Sequence, residues 1–113
     1  MNQLNQVILE GNIMKMEEAK EQGHSIARLC VATGRSYRRP DGNDSREVSF
    51  FECEFQGDFG KKIAGRCAIG QGVRIIGRLR QTLRENPGGD VSEKVSVVAE
   101  HVEFLPFKEN NEE

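Results

Sequence analysis

In three stretches of the chain, Ile26 to Thr33, Val48 to Phe55 and Gln71 to Arg80, apolar residues recur at every second position. A period of two is the mark of a strand with one buried face. Ala27, Leu29 and Val31 form the apolar set of the first stretch, opposite the mixed set Ile26, Arg28 and Cys30. In the second, Ser49, Phe51, Cys53 and Phe55 read as core, while Val48, Phe50, Glu52 and Glu54 read as the outer face. In the third, Val73, Ile75, Gly77 and Leu79 oppose Arg74, Ile76, Arg78 and Arg80. Shorter signals add a strand at each end. Gln6 to Leu9 reads as a strand that Glu10-Gly11-Asn12 breaks or bends before Ile13 and Met14, and Lys94 to Leu105 reads as the last strand.

One segment departs from this period. Between Gly57 and Gly70, Phe59, Ile63, Ala64, Cys67 and Ala68 recur at spacings of three and four, which predicts a short helix ended by Gly70. The order is then strand, strand, strand, helix, strand, strand. That is the order of an all-β, five-stranded OB-fold Greek-key barrel with a short helix between strands 3 and 4. Twelve glycines against three prolines fit many tight turns between short elements. The connections are expected at Lys15–Gly23, a loop or short helical turn, and at two polar segments, Gly34–Glu47 with Pro40-Asp41-Gly42 and Glu85–Glu93 with Asn86-Pro87-Gly88-Gly89-Asp90.

At 113 residues the chain is expected to hold one domain, residues 1–105, followed by a short acidic tail, residues 106–113. Pro106 reads as the stop of the last strand. No run approaches the ~18 apolar residues of a membrane span, and the polar start, Met1 to Gln6, lacks a signal pattern. A cytoplasmic protein is expected. Cys30, Cys53 and Cys67 are odd in number and have no CxxC spacing, so they read as reduced, mostly buried thiols with no metal or redox role.

The net charge of −2 hides an uneven distribution. Residues 1–27 carry −2, residues 28–84 carry +6 and residues 85–113 carry −6. A basic middle between acidic ends suits either a nucleic-acid surface or an ordinary solvated exterior. Enzyme chemistry finds no support. His24 and His101 have no nucleophile or ligand set beside them, Gly57 to Lys62 lacks phosphate-loop spacing, and neither a cofactor nor a metal is expected. Glu52 and Glu54 read as a solvated face.

Binding of a single-stranded nucleic acid needs a cationic track for phosphates and flat side chains for bases. Arg74, Arg78 and Arg80 supply a candidate track, or else a solvated stripe. Arg35, Arg38, Arg39 and Arg46 add a basic loop that also holds Tyr37, and Phe50 stands on the outward set of the third strand beside two glutamates. Tyr37 is a stacking platform or an ordinary exposed aromatic; Phe50 is a platform or an interface or core residue.

With these residues in view, the blocks "LNQVILEGNI", "ARLCVATGRSYRR", "VSFFECEFQGDFGKKIA" and "GQGVRIIGRLR" resemble those of bacterial single-stranded DNA-binding proteins, in the right order over about residues 4 to 105. Asn5, Val7, Leu9, Gly11, Asn12 and Ile13 match the first block, Ala32 and Thr33 the second, Gly57 the end of the third, and Gly70, Val73, Ile75, Gly77, Leu79 and Arg80 the fourth. The resemblance implies an OB fold, usually a homotetramer, that wraps single-stranded DNA in replication, repair and recombination. It places Tyr37 and Phe50 at or near two aromatics on which bases stack.

The chain departs from that pattern in four places. Gln56 stands where a phenylalanine is usual, Arg84 near an expected tryptophan, Glu52 where a basic residue is frequent, and the Pro106-Phe107 pair precedes the terminal acids instead of following them. These departures imply weaker binding or a different path for the strand, and no tail of the kind that recruits partners. They also motivate an alternative: a primosome-type accessory OB module that mainly holds another replication or repair protein. An exposed edge on the first strand leads us to expect a dimer or tetramer.

Overall fold

The structure, a computed structural model, describes residues 2–106. Five strands and one helix follow in the expected order: β1 Val7–Glu21, β2 His24–Arg38, β3 Asp44–Gln56, α1 Gly57–Ala64, β4 Gly72–Glu85 and β5 Val91–Phe104. The strands close into a barrel in the order β1-β2-β3-β5-β4. All contacts around it are antiparallel except β3 with β5, which pair in parallel through Cys53 opposite Val97 and Glu54 opposite Val98.

The inward set of each strand makes the core. Ile13, Leu29, Val31, Cys53, Phe55, Val73 and Ile75 are fully buried, with Ala27, Val97 and Ala99 beside them. α1 plugs one end of the barrel. Ile63 is buried there, and Phe59 meets Phe55 edge-on with ring centroids 5.3 Å apart. Asp58 in its first turn and Lys61 and Lys62 in its last suit the helix dipole. The helix is shorter than its apolar spacing suggests. It ends at Ala64 with Gly65 as its cap, and the chain then turns at Gly70, whose N–H donates to the Ile13 carbonyl at 2.7 Å. This bond ties the connection to β1 before β4 begins.

Two glycines are needed for closure. A β-carbon on Gly11 would collide with the Ala32 carbonyl, and one on Gly77 with the Val98 carbonyl. Gly11 therefore does not break β1; it lets β1 cross close to β2. The irregularity in β1 lies further along, where the register slips between Ile13 and Lys15 and leaves Met14 as an extra residue.

The expected connections are corrected. Lys15–Glu21 is strand, paired with β2 from Lys15 opposite Cys30 to Glu21 opposite His24, and the turn is only Gln22-Gly23, both with positive φ. Most of Gly34–Glu47 is also strand, since β2 and β3 pair out to Arg38 opposite Asp44. Likewise β4 and β5 pair out to Glu85 opposite Val91, leaving a turn in which Asn86 N–H donates to the Asp90 carbonyl at 2.7 Å. The result is two long hairpin arms, β2–β3 and β4–β5, that project beyond the packed barrel. Phe51, read as core, and Leu79, on the apolar set of its strand, are 43% and 47% exposed for this reason. They sit on the core-facing set of their strands, but at the level where the arms leave the barrel.

β1 pairs with β4 over Val7–Asn12 and with β2 over Asn12–Glu21, so each half leaves one edge without a partner among the described residues. No helix among the described residues is long and apolar enough to cross a membrane. Beyond Pro106, the expected acidic tail lies outside the described residues.

All three cysteines are free thiols. Burial, with smaller contributions from Cys30 and Glu52, pushes the Cys53 thiol up to about 12. Burial also raises Cys67. With a thiol-exchange reagent at pH 8, Cys53 is expected to stay unmodified in the folded protein and to react fully in denaturant. Native-state modification of Cys53 at the rate of a free peptide thiol contradicts the placement.

Candidate nucleic-acid interface

The side chains of the β2–β3 arm divide into two faces by strict alternation, since its register runs without a bulge from Ile26 opposite Gln56 to Arg38 opposite Asp44. On the outer face, Phe50 stands opposite Ala32 and Val48 opposite Gly34. Ala32, opposite Phe50, and its β2 neighbours on this face, Cys30 and Gly34, are all small and leave the Phe50 ring open. Phe50 is 61% exposed, beside a concavity of about 320 Å³ lined by Lys15, Glu17, Arg28, Phe50 and Glu52. Arg46 and Arg38 continue the same face toward the tip, where they stand opposite Ser36 and Asp44.

Tyr37 is on the other face, opposite Ser45, with Arg35 next to it on the same face. The Arg35 guanidinium lies 5.7 Å from the Tyr37 ring centre. The two aromatics singled out from the sequence are therefore not neighbours on one platform. They stand on opposite sides of the arm, each with its own arginines.

The arginine stripe of β4 is not a free cationic track. Arg74 is clamped between Glu10 at 2.5 Å and Glu103 at 2.8 Å, which raises its pKa further. Hydrogen bonding to His101 and then to Arg74 holds the Glu103 carboxyl below its ordinary range. Arg78 meets Glu100 at 3.0 Å. These pairs lie on the wall made by β1, β4 and β5, and β4 has no contact edge with β2 or β3 in the barrel order. Sequence alternation located the arginines. It could not show that strands far apart in the chain bring a carboxylate to each.

Arg80 is different. Its Nη2 lies 2.6 Å from Glu54 Oε1, and Ser96 Oγ lies 3.4 Å from the other Glu54 oxygen. Glu54 is 4% exposed, so it is a buried partner and not the solvated carboxylate its strand position suggested. Beyond Arg80 the β4–β5 arm is amphipathic. Thr82 opposite Lys94 and Arg84 opposite Ser92 share the Arg80 face, whereas Leu79, Leu83, Val91 and Val95, all 47–70% exposed, share the other. Lys94 and Arg28 join the outer face although neither was singled out from the sequence. The register was needed, because it sets Arg28 opposite Glu54 and Lys94 opposite Thr82.

At the β2–β3 tip, Arg39 pairs with Asp41 at 2.9 Å and Arg38 with Asp44 at 3.7 Å. Both pairs are open to solvent and hold little energy, of the order of 0–1 kcal/mol each. Among the described residues Arg35, Arg46 and Arg84 form no salt bridge. Also among them, no group of three or more His, Cys, Asp or Glu is placed to hold a metal ion.

A small-residue trough beside an exposed ring, between two basic arms, is the surface an OB barrel offers to an extended strand. The family model that matches this chain, the single-strand binding protein family, covers residues 4–105. The chain belongs to that family. Among its relatives are the single-stranded DNA-binding proteins of Treponema pallidum, 34% identical over 108 residues, and of Wolinella succinogenes, 29% identical over 106. The alignments take in 93% and 92% of this chain but only 60% and 65% of those proteins, so the chain spans under two thirds of their length. In fold it is similar to the Plasmodium falciparum SSB solved in complex with ssDNA, with a TM-score of 0.83 at 15% identity over 94% of this chain and 98% of that one. It is also similar to the Thermus aquaticus single-stranded DNA binding protein, with a TM-score of 0.79 at 23% identity over 91% of this chain and 51% of that one. These likenesses bear out the OB barrel expected from the order of elements.

Removing the Arg80 guanidinium leaves the Glu54 carboxylate buried with Ser96 as its remaining side-chain hydrogen-bond partner among the described residues. Arg80→Met is expected to lower stability by about 2–4 kcal/mol, the cost of a buried charge without its counter-ion, reduced somewhat because Arg80 reaches solvent. Urea unfolding measures it. A loss under about 0.5 kcal/mol would mean that the pair holds nothing together.

Proposed function

We propose that this chain is a non-enzymatic, sequence-nonspecific binder of single-stranded DNA, acting in the cytoplasm in replication, repair and recombination. One observation carries the reading: Phe50 is largely exposed on the outer β2–β3 face, opposite the small Ala32. In a folded domain a large exposed ring on a flat sheet offers a stacking surface, and every base has a face to put on it. Bases stack on Phe50 and, on the far side of the β2–β3 arm, on Tyr37. Arg35, Arg38, Arg39 and Arg46 from one arm, and Arg80, Arg84 and Lys94 from the other, meet the phosphates. Arg74 and Arg78, held on the opposite wall by glutamates, belong to the domain's own structure.

Fluorescence anisotropy of labelled oligo-dT, against duplex of equal length at two salt concentrations, tests this. We expect salt-sensitive binding to oligo-dT and little to duplex. Phe50→Ala and Tyr37→Ala are each expected to weaken it by about 5- to 150-fold, the equivalent of one lost stack of about 1–3 kcal/mol. Equal affinity for single strand and duplex overturns the reading; unchanged binding by the double variant overturns the stacking assignment alone.

The protein is proposed to act as a homo-oligomer, a tetramer or a dimer. The support is the pair of open half-edges on β1, which a second copy can extend by main-chain hydrogen bonding. Light scattering is expected to give a multiple of the 12.7 kDa chain mass; a single species at that mass would exclude it.

A further inference from the structure

The centre of the proposed binding face holds two negative charges. Glu52 and Glu54 follow Phe50 at alternate positions of β3, so all three project from the outer surface. Each carboxylate is already engaged. Lys94 Nζ lies 3.0 Å and Arg28 Nε 3.4 Å from the same oxygen of Glu52, and Arg80 meets Glu54 at 2.6 Å. Arg28 is held on its other side by Glu21, at the end of β1. The cations beside Phe50 on the body of the sheet thus have protein carboxylates where a phosphate would otherwise sit.

The two Glu52 contacts are charge contacts more than well-formed hydrogen bonds, whereas Arg80 Nη2 donates a hydrogen bond to Glu54 Oε1. Among the described residues, Glu52 Oε2, Arg28 Nε and Arg80 Nε are buried with no hydrogen-bond partner. A buried charged atom with an unmet hydrogen bond is under-compensated, and another anion of suitable geometry can replace its partner. A strand phosphate is such an anion. Displacing Glu52 leaves its own charge on the face, close to the phosphate that replaced it.

We propose that Glu52, supported by Glu54 and Glu21, is an internal counter-anion that occupies Lys94 and Arg28 in place of a single-strand phosphate, setting both the affinity and its salt dependence. The inference rests on the single-strand reading above. Its consequence for salt is specific. A free cation that binds a phosphate releases the counter-ion condensed there, worth about 0.7 in the slope of log affinity against log salt for a single strand. A cation taken from Glu52 contributes little, because the displaced carboxylate gathers a cation of its own. This chain should therefore show a shallower slope than its number of basic residues on that face implies.

The test is a salt series of oligo-dT anisotropy titrations on the full chain, with Glu52→Gln, Glu21→Gln and Glu93→Gln beside the parent. Glu52→Gln keeps the size of the side chain and removes its charge. It is expected to bind about 3- to 10-fold tighter at low salt, with a slope steeper by about 0.7–1.4, as one or two cations are freed. Glu93→Gln makes the same change in net charge on the opposite face of the β4–β5 arm, where Glu93 only accepts a hydrogen bond from Gln81. It is expected to move affinity and slope by less than half as much. If Glu93→Gln matches Glu52→Gln, net charge is responsible and the proposal falls. If the parent binds and Glu52→Gln binds no better, the proposal falls and the single-strand reading stands. If neither binds, both fall. Thermal melts establish that each variant is folded. Should Glu52→Gln not fold, Glu21→Gln decides, because it removes one of the two carboxylates on Arg28 at a solvent-exposed position. A slope steeper by about 0.7 supports the proposal, and an unchanged slope overturns it.

Discussion

The barrel closes on a seam only two register pairs long, where β3 runs parallel to β5 at Cys53–Val97 and Glu54–Val98. Every other strand contact is a long antiparallel ladder formed by a hairpin or by the return of β4 to β1. Two pairs of backbone bonds are a small hold for a junction between strands so far apart in the chain. Side chains reinforce it from both sides. Inside, Cys53 and Val97 are part of the buried core. Outside, Glu54 reaches across β5 to Arg80 on β4, with Ser96 between them. This contact locks three strands together and fixes how the two arms stand relative to each other. The trough beside Phe50 and the basic face of the β4–β5 arm meet at this point.

The same junction shapes the electrostatics. A binder of a polyanion gains most from cations that are free before binding, because only those release condensed ions when a phosphate arrives. Here the cations split by position. Those on the barrel wall and at the seam, Arg28, Arg74, Arg78 and Arg80, and Lys94 at the base of the β4–β5 arm, all have carboxylates within salt-bridge distance. Further out on the arms, Arg35, Arg46 and Arg84 form no salt bridge among the described residues, and Arg38 and Arg39 are paired only in open solvent where a pair holds little. The barrel is thus built to be electrically quiet and the arms to be positive. That arrangement reconciles a net charge of −2 with the polyanionic ligand proposed above.

Much of the barrel was legible as period-two alternation broken once by a helix, because the inward positions of β2, β3 and β4 must be apolar where they meet one core. Legibility failed where strands leave that core. Lys15–Glu21 and the outer thirds of the arms are held by backbone ladders, which leave no apolar period in the sequence, so they read as loops. Phe51 and Leu79 misled for the converse reason. They keep the core-facing parity of their strands beyond the point where there is a core to face. Among candidate site residues, Phe50 stood out as an aromatic sharing a face with two glutamates. Lys94 and Arg28 did not, since a single basic residue on a strand carries no sign of what lies across from it.

The sequence alone determined the order of elements and the family, because each of these rests on residue type at short spacing. Tertiary structure alone decided which charges are free. Glu54 and Arg80 are 26 residues apart, and Arg74 and Glu10 are 64 apart. Only barrel closure brings them within reach. It likewise separated Tyr37 from Phe50, since the pairing register places two residues of one hairpin on opposite faces. Chemical identity is local, whereas ion pairing and facing are properties of strand register. That register is set by the whole closed sheet.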